Sequence, residues 1–149
     1  MMQIADLPLP DLLVELIETR RWKTPREVAR LAELAGFKKP RRLDFMKPEQ
    51  MRRETDALVA LYEQGYAETY NLLRSTPGQS APDDPGRVDV RLLVVIANNW
   101  DEEGICLDYR PGLAHPRVVA GMWPDEEDSP MRWRVIAADF PAFAELIGL

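Results

Sequence analysis

The segment Trp133-Arg134-Val135-Ile136-Ala137-Ala138-Asp139-Phe140-Pro141-Ala142-Phe143 decides the fold, because in it a short strand passes directly into a capped helix. Trp133 to Ala137 is apolar and partly β-branched apart from Arg134. Asp139 is placed to accept from the first free N–H groups of a helix, and Pro141 suits its first turn. Phe140, Phe143, Leu146 and Ile147 are apolar, and the two aromatics lock this helix onto the sheet.

Working back toward the N-terminus, Val90 to Ala97 is nearly continuous in apolar residues, as a strand buried on both faces should be, and is expected at the centre of the sheet. Asn98-Asn99-Trp100-Asp101-Glu102-Glu103-Gly104 turns the chain, and Ile105 to Tyr109 returns beside the first strand as an antiparallel hairpin. Asp108-Tyr109-Arg110-Pro111-Gly112 starts a second turn, leading to a strand around Arg117 to Trp123. The acidic loop Pro124 to Pro130 then precedes the last strand.

Ahead of this half, Ser75 to Arg87 contains Thr76-Pro77-Gly78 and Pro82-Asp83-Asp84-Pro85-Gly86, is dense in turn formers, and reads as a loop or linker. Earlier still the pattern is helical. Leu9, Leu12, Leu13, Leu16 and Ile17 fall on one face of a helix opening near Pro10-Asp11. Thr24-Pro25-Arg26-Glu27 reads as the start of a second, with Thr24 as N-cap, Pro25 at the first helical position and Glu27 completing a capping box; Gly36 supplies its stop. Val28, Leu31, Ala32 and Ala35 form its buried stripe. Pro48-Glu49 opens a third helix whose Met51, Thr55, Leu58, Leu61 and Tyr62 share a face that either continues past Gly65 to Leu73 or breaks at that glycine.

These readings predict one α+β domain over residues 1–149. Helices in 1–74 pack against a mostly antiparallel sheet in 88–149, closed by a short C-terminal helix, with a loop over 75–87 between them.

The chain carries 19 basic and 25 acidic residues, a formal net charge of −6. Residues 75–149 hold 6 Arg, no Lys and 13 Asp plus Glu, a net −7, whereas residues 1–74 are close to neutral at +1. An acidic half repels phosphate backbones, so nucleic acid is not expected as a direct ligand, and a basic protein is the compatible partner. The basic connector Lys38-Lys39-Pro40-Arg41-Arg42 has no interleaved stacking aromatic and is read as a solvated link. No apolar run reaches the roughly 20 residues of a membrane span, and Met1 to Asp6 lacks the charged start and apolar stretch of a signal sequence, so a cytoplasmic location is expected.

One cysteine, Cys106, and one histidine, His115, exclude a disulfide framework and the usual zinc ligand sets. Paired as nucleophile and base they would form a dyad, but Cys106 lies in an apolar strand and His115 in a turn. No phosphate-binding glycine loop or nucleophile elbow occurs, so no catalytic residue, cofactor or metal is assigned. The acidic turns Asp101-Glu102-Glu103 and Asp125-Glu126-Glu127-Asp128 lack the alternating ligand spacing of a calcium loop. They read either as solvated loops or as an interface for a basic partner. Trp100, Trp123 and Trp133 flank them, tryptophan beside charge being a common make-up of binding hot spots and equally of anchors that hold a sheet edge to the core. Trp100, Asp101, Glu102, Glu103, Trp123, Asp125, Glu126, Glu127 and Asp128 are therefore the candidate partner-binding residues.

Three blocks carry a family resemblance: Ile96-Ala97, then Gly104-Ile105-Cys106-Leu107-Asp108-Tyr109, then Val135-Ile136-Ala137-Ala138-Asp139-Phe140-Pro141-Ala142-Phe143. In order and spacing the chain resembles the SUKH superfamily, the group around the yeast Smi/Knr cell-wall-synthesis regulators. The likeness covers roughly the last 60 residues; the family's leucine-proline, aromatic and Asn-Gly-Gly features are not recognisable in the first half. The resemblance implies helices against a mixed sheet, no enzymatic activity, and use as a protein-binding module. Bacterial members of that group are similar to immunity proteins that bind and neutralise toxins, many of them nucleases. The expectation is an antitoxin-type protein binding a basic toxin domain, the alternative a regulatory scaffold with no toxin partner.

Overall fold

The structure is a computed structural model, and it describes residues 2–26, 28–37, 43–63, 86–99, 103–126 and 129–149. Among these residues the main sheet has five strands. They are Leu43–Phe45 (β3), Leu93–Asn99 (β4), Gly104–Asp108 (β5), Arg117–Met122 (β6) and Arg132–Ala137 (β7), ordered β3-β4-β5-β6-β7 with every neighbouring pair antiparallel. A small hairpin, Gln3–Ile4 (β1) with Leu7–Pro8 (β2), precedes them and turns through Ala5 and Asp6, both left-handed. Four helices occur among the described residues: Asp11–Glu18 (α1), Val28–Ala35 (α2), Pro48–Glu63 (α3) and Phe140–Leu146 (α4). This is the expected α+β class, with the closing helix after the sheet.

The closing helix is built as its sequence predicts. Asp139 Oδ1 accepts from the Ala142 N–H at 2.8 Å, and Phe140 and Phe143 are fully buried, while Leu146 stays exposed. α2 ends as predicted on Gly36, at φ +85°, where the Phe37 N–H reaches the Ala32 carbonyl at 2.8 Å and the Gly36 N–H that of Glu33 at 3.1 Å. This paired closure needs a left-handed residue, which glycine adopts without a Cβ clash.

Four expectations are corrected. Val90 to Ala97 is not one strand. Val90–Leu92 forms a 3-10 turn capped by Asp89, whose carboxylate accepts from the Arg91 N–H at 3.0 Å, and the strand begins at Leu93. Nor is β4 the centre of the sheet, because Leu43–Phe45, a strand absent from the sequence reading, pairs along its outer edge and leaves β5 in the middle. Thr24 does not cap α2, which starts at Val28; its hydroxyl accepts from the Phe45 N–H at 3.0 Å, occupying a donor that the edge strand would otherwise expose. On α3, Met51 and Thr55 are buried as expected but Leu61 is exposed. The Glu27 part of the capping box, the connector 38–42 and most of the 75–87 loop lie outside the described residues, as does the proposed extension of α3.

Trp133 and Arg134 are adjacent on β7 and so point to opposite faces of the sheet. Gly36, at the end of α2, comes against Arg134 and Met122, whereas α3 meets β4 and shares a cleft with Trp133. α2 and α3 therefore cover opposite faces. At α3 the contact is specific. β4 carries a bulge between Val95 and Ala97, and the Val95 N–H donates to Thr55 Oγ1 at 3.1 Å. Thr55→Val keeps the shape and removes the acceptor, leaving a buried N–H unpaired. The expected cost is about 1–3 kcal/mol, measured by urea denaturation.

Candidate functional site

Register brings the strand ends that bound the two acidic connections to one end of the sheet. Asn98 pairs with Gly104, Gly104 with Gly121, and Gly121 with Trp133, so the β4–β5 and β6–β7 connections leave the same end of the sheet. Of the nine candidate residues, Trp100, Asp101, Glu102, Glu127 and Asp128 lie outside the described residues. Asp125 and Glu126 are exposed at this end, and Trp123 is half-buried beside them.

Glu103 departs from the expectation of a solvent-facing contact. It is buried, and its carboxylate is used internally: Oε1 accepts from Asn99 Nδ2 at 3.0 Å and Oε2 from the Trp123 N–H at 2.9 Å. Its own N–H donates to Asn99 Oδ1 at 3.0 Å. Glu103 thus ties Asn99, at the end of β4, to Trp123, just after β6.

Beside these loops an open-sided cleft of 190 Å³ runs between α3 and the sheet. Leu58 and Leu61 form one wall, Trp123, Met131 and Trp133 the other, and Gly104 and Cys106 lie at the floor. The second wall depends on Gly121. A Cβ there would stand 2.6 Å from Met131 Sδ and 2.7 Å from the Trp133 ring, so only glycine lets that indole lie against β6. Sequence reasoning missed the part played by Leu61 and Met131. Leu61 was legible as apolar, but its exposure depends on where α3 crosses the sheet.

Burial pushes the Cys106 thiol up to about 12, with the nearby charge of Asp108 adding to the shift. A thiol held protonated is a poor nucleophile. His115 is exposed in the loop joining β5 to β6, at the far end of the sheet from the acidic turns, so the structure does not assemble the dyad. That far end is held by charge: Asp108 is fully buried between Arg110 and Arg117. Among the described residues no group of three or more potential ligands could hold a metal ion, and no helix is long and apolar enough to cross a membrane.

Comparison of the chain with protein-family models, with curated proteins and with solved structures finds no match.

Proposed function

We propose that this chain is a non-enzymatic protein-binding module of the immunity type, which binds and neutralises a basic toxin domain through the acidic end of its sheet. The observation that carries the reading is the placement of the exposed Asp125 and Glu126 beside an apolar cleft walled by Trp123, Trp133 and Leu61, at the end of the sheet where β4 ends and β7 begins. Apolar anchors ringed by one sign of charge suit a partner of the opposite sign: the charge accelerates encounter and the anchors slow dissociation. A toxin domain that grips nucleic acid must present such a basic surface. The SUKH-like motif blocks support the same class of function.

The test uses the full chain as bait for its partner, with Asp125→Lys/Glu126→Lys as one variant and Trp123→Ala as another. Charge reversal is expected to slow association and to flatten its salt dependence. Trp123→Ala is expected to weaken binding by about 30-fold, the size of a hot-spot loss near 2 kcal/mol. Co-expression of the wild-type chain with the captured partner should relieve that partner's toxicity. Binding that survives both substitutions, or a captured partner whose action is unaffected, would sink the proposal.

A further inference from the structure

A second surface, of opposite sign, lies elsewhere on the molecule. A groove of 580 Å³ opens between the end of α1, the segment that follows it, and the junction of β3 with α3. Its wall is apolar and pre-formed. The Trp22 indole N–H donates to the Met46 carbonyl at 3.0 Å, and the Trp22 ring stacks on Phe45 with centroids 4.2 Å apart. Around this wall stand Arg20, Lys23 and Lys47, which are the titratable side chains among the described lining residues. All three are exposed cations, and among the described residues none makes a side-chain hydrogen bond or ion pair. In a chain of net charge −6 this is a local reversal of sign.

The backbone at Arg20 adds an independent observation. Arg20 is left-handed at φ +60°, closing α1 with its N–H on the Ile17 carbonyl at 3.1 Å and the Arg21 N–H on that of Leu16 at 2.8 Å. Glycine fills this position most easily, and a Cβ there is a strain. Strained residues concentrate where a side chain is needed for another purpose. Here the strained residue contributes a cation to the rim of an aromatic groove.

We infer that this groove binds an acidic peptide segment of a partner protein, one carrying an apolar side chain flanked by Asp or Glu. The cations would pair with the flanking carboxylates, and the anchor would cover Phe45 and the remaining exposed edge of Trp22. A bare anion would use the cations and leave the apolar wall wet, so charge and apolar burial together define the ligand. The site is separate from the acidic end of the sheet. Leu43 pairs with Asn99 at that end, whereas the groove begins at Phe45 and runs away from it.

The experiment titrates the full chain into a fluorescein-labelled peptide with one Phe between pairs of Asp and Glu, read by anisotropy. Matched peptides replace the Phe with Ser, or the acidic residues with Lys, and inorganic phosphate serves as competitor. Saturable binding of the Phe peptide is expected, about tenfold weaker for Lys23→Glu/Lys47→Glu and unchanged for Asp125→Lys/Glu126→Lys. Arg20→Gly should raise the melting temperature by about 2–4 °C, as relief of backbone strain does in a chain of this size, while weakening the peptide. Equal binding of the Ser peptide, full displacement by millimolar phosphate, or indifference to the lysine reversals would overturn the inference. None of those results bears on the toxin-binding surface.

Discussion

Replacing Asp108 with alanine is expected to lower the free energy of unfolding by about 3–5 kcal/mol, the cost of breaking a buried ion pair by removing one partner. Asp108 has no exposed surface. Its carboxylate takes Arg110 Nη2 at 3.0 Å and Arg117 Nε at 2.9 Å, with the Arg110 backbone N–H on Oδ1 at 3.0 Å. The Arg110 side chain is 2% exposed and that of Arg117 15%, so neither guanidinium can turn to water without opening the end of the sheet. Arg117 Nη2 is already buried without a hydrogen-bond partner. Alanine would leave two buried cations facing each other. Domains of this size are stable by only about 5–15 kcal/mol, so such a loss is a large share of the total. Guanidinium denaturation should show a lower midpoint with an unchanged slope. Asp108→Asn, which keeps an acceptor for the Arg110 N–H but not the charge, should fall between wild type and alanine. A loss below about 1 kcal/mol for alanine would show that water reaches the two arginines.

That cluster illustrates what a linear reading can and cannot see. Asp108-Tyr109-Arg110-Pro111-Gly112 was legible as a turn, because proline and glycine set backbone dihedrals locally. Its charge cluster was not legible, because it needs Arg117, brought in by the β5–β6 register. The hairpins from β4 to β7, the cap at Asp139 and the stop at Gly36 were likewise local signals and were readable. β3 was not: three residues are too short to show a period, and what makes them a strand is pairing with residues 97–99. Thr24 has the acceptor chemistry of a cap, but its hydroxyl serves the Phe45 N–H, 21 positions away, a recipient that only the tertiary fold brings to it. At the candidate site, the acidic loops were visible as composition and their common end followed from strand order. The cleft between them and α3 required knowing where a helix crosses the sheet.

The second large effect is expected at Phe140, where the two halves of the chain meet. Phe45 stacks on Trp22, Trp22 meets Phe140 at 5.8 Å, and Phe140 meets Phe143 at 6.0 Å, so four rings run from the edge strand through the segment after α1 to the closing helix. Phe140 itself is 1% exposed at the start of α4. Phe140→Ala removes the link between Trp22 and α4 and leaves a cavity that Pro141 and the Asp139 cap hinder from collapsing. Truncation of a buried aromatic typically costs about 3–5 kcal/mol. α4 has seven residues, too short to persist without its packing, so loss of the ring should release its C-terminal turn first. Hydrogen exchange at the Ile147 and Leu149 amides, which bond to Phe143 and Ala144 at 3.2 and 2.8 Å, should therefore accelerate more than exchange in β5. Phe140→Leu, which refills much of the space without the ring contacts, should recover part of the stability. If alanine and leucine cost the same, the ring contacts rather than the filled volume hold the closing helix in place.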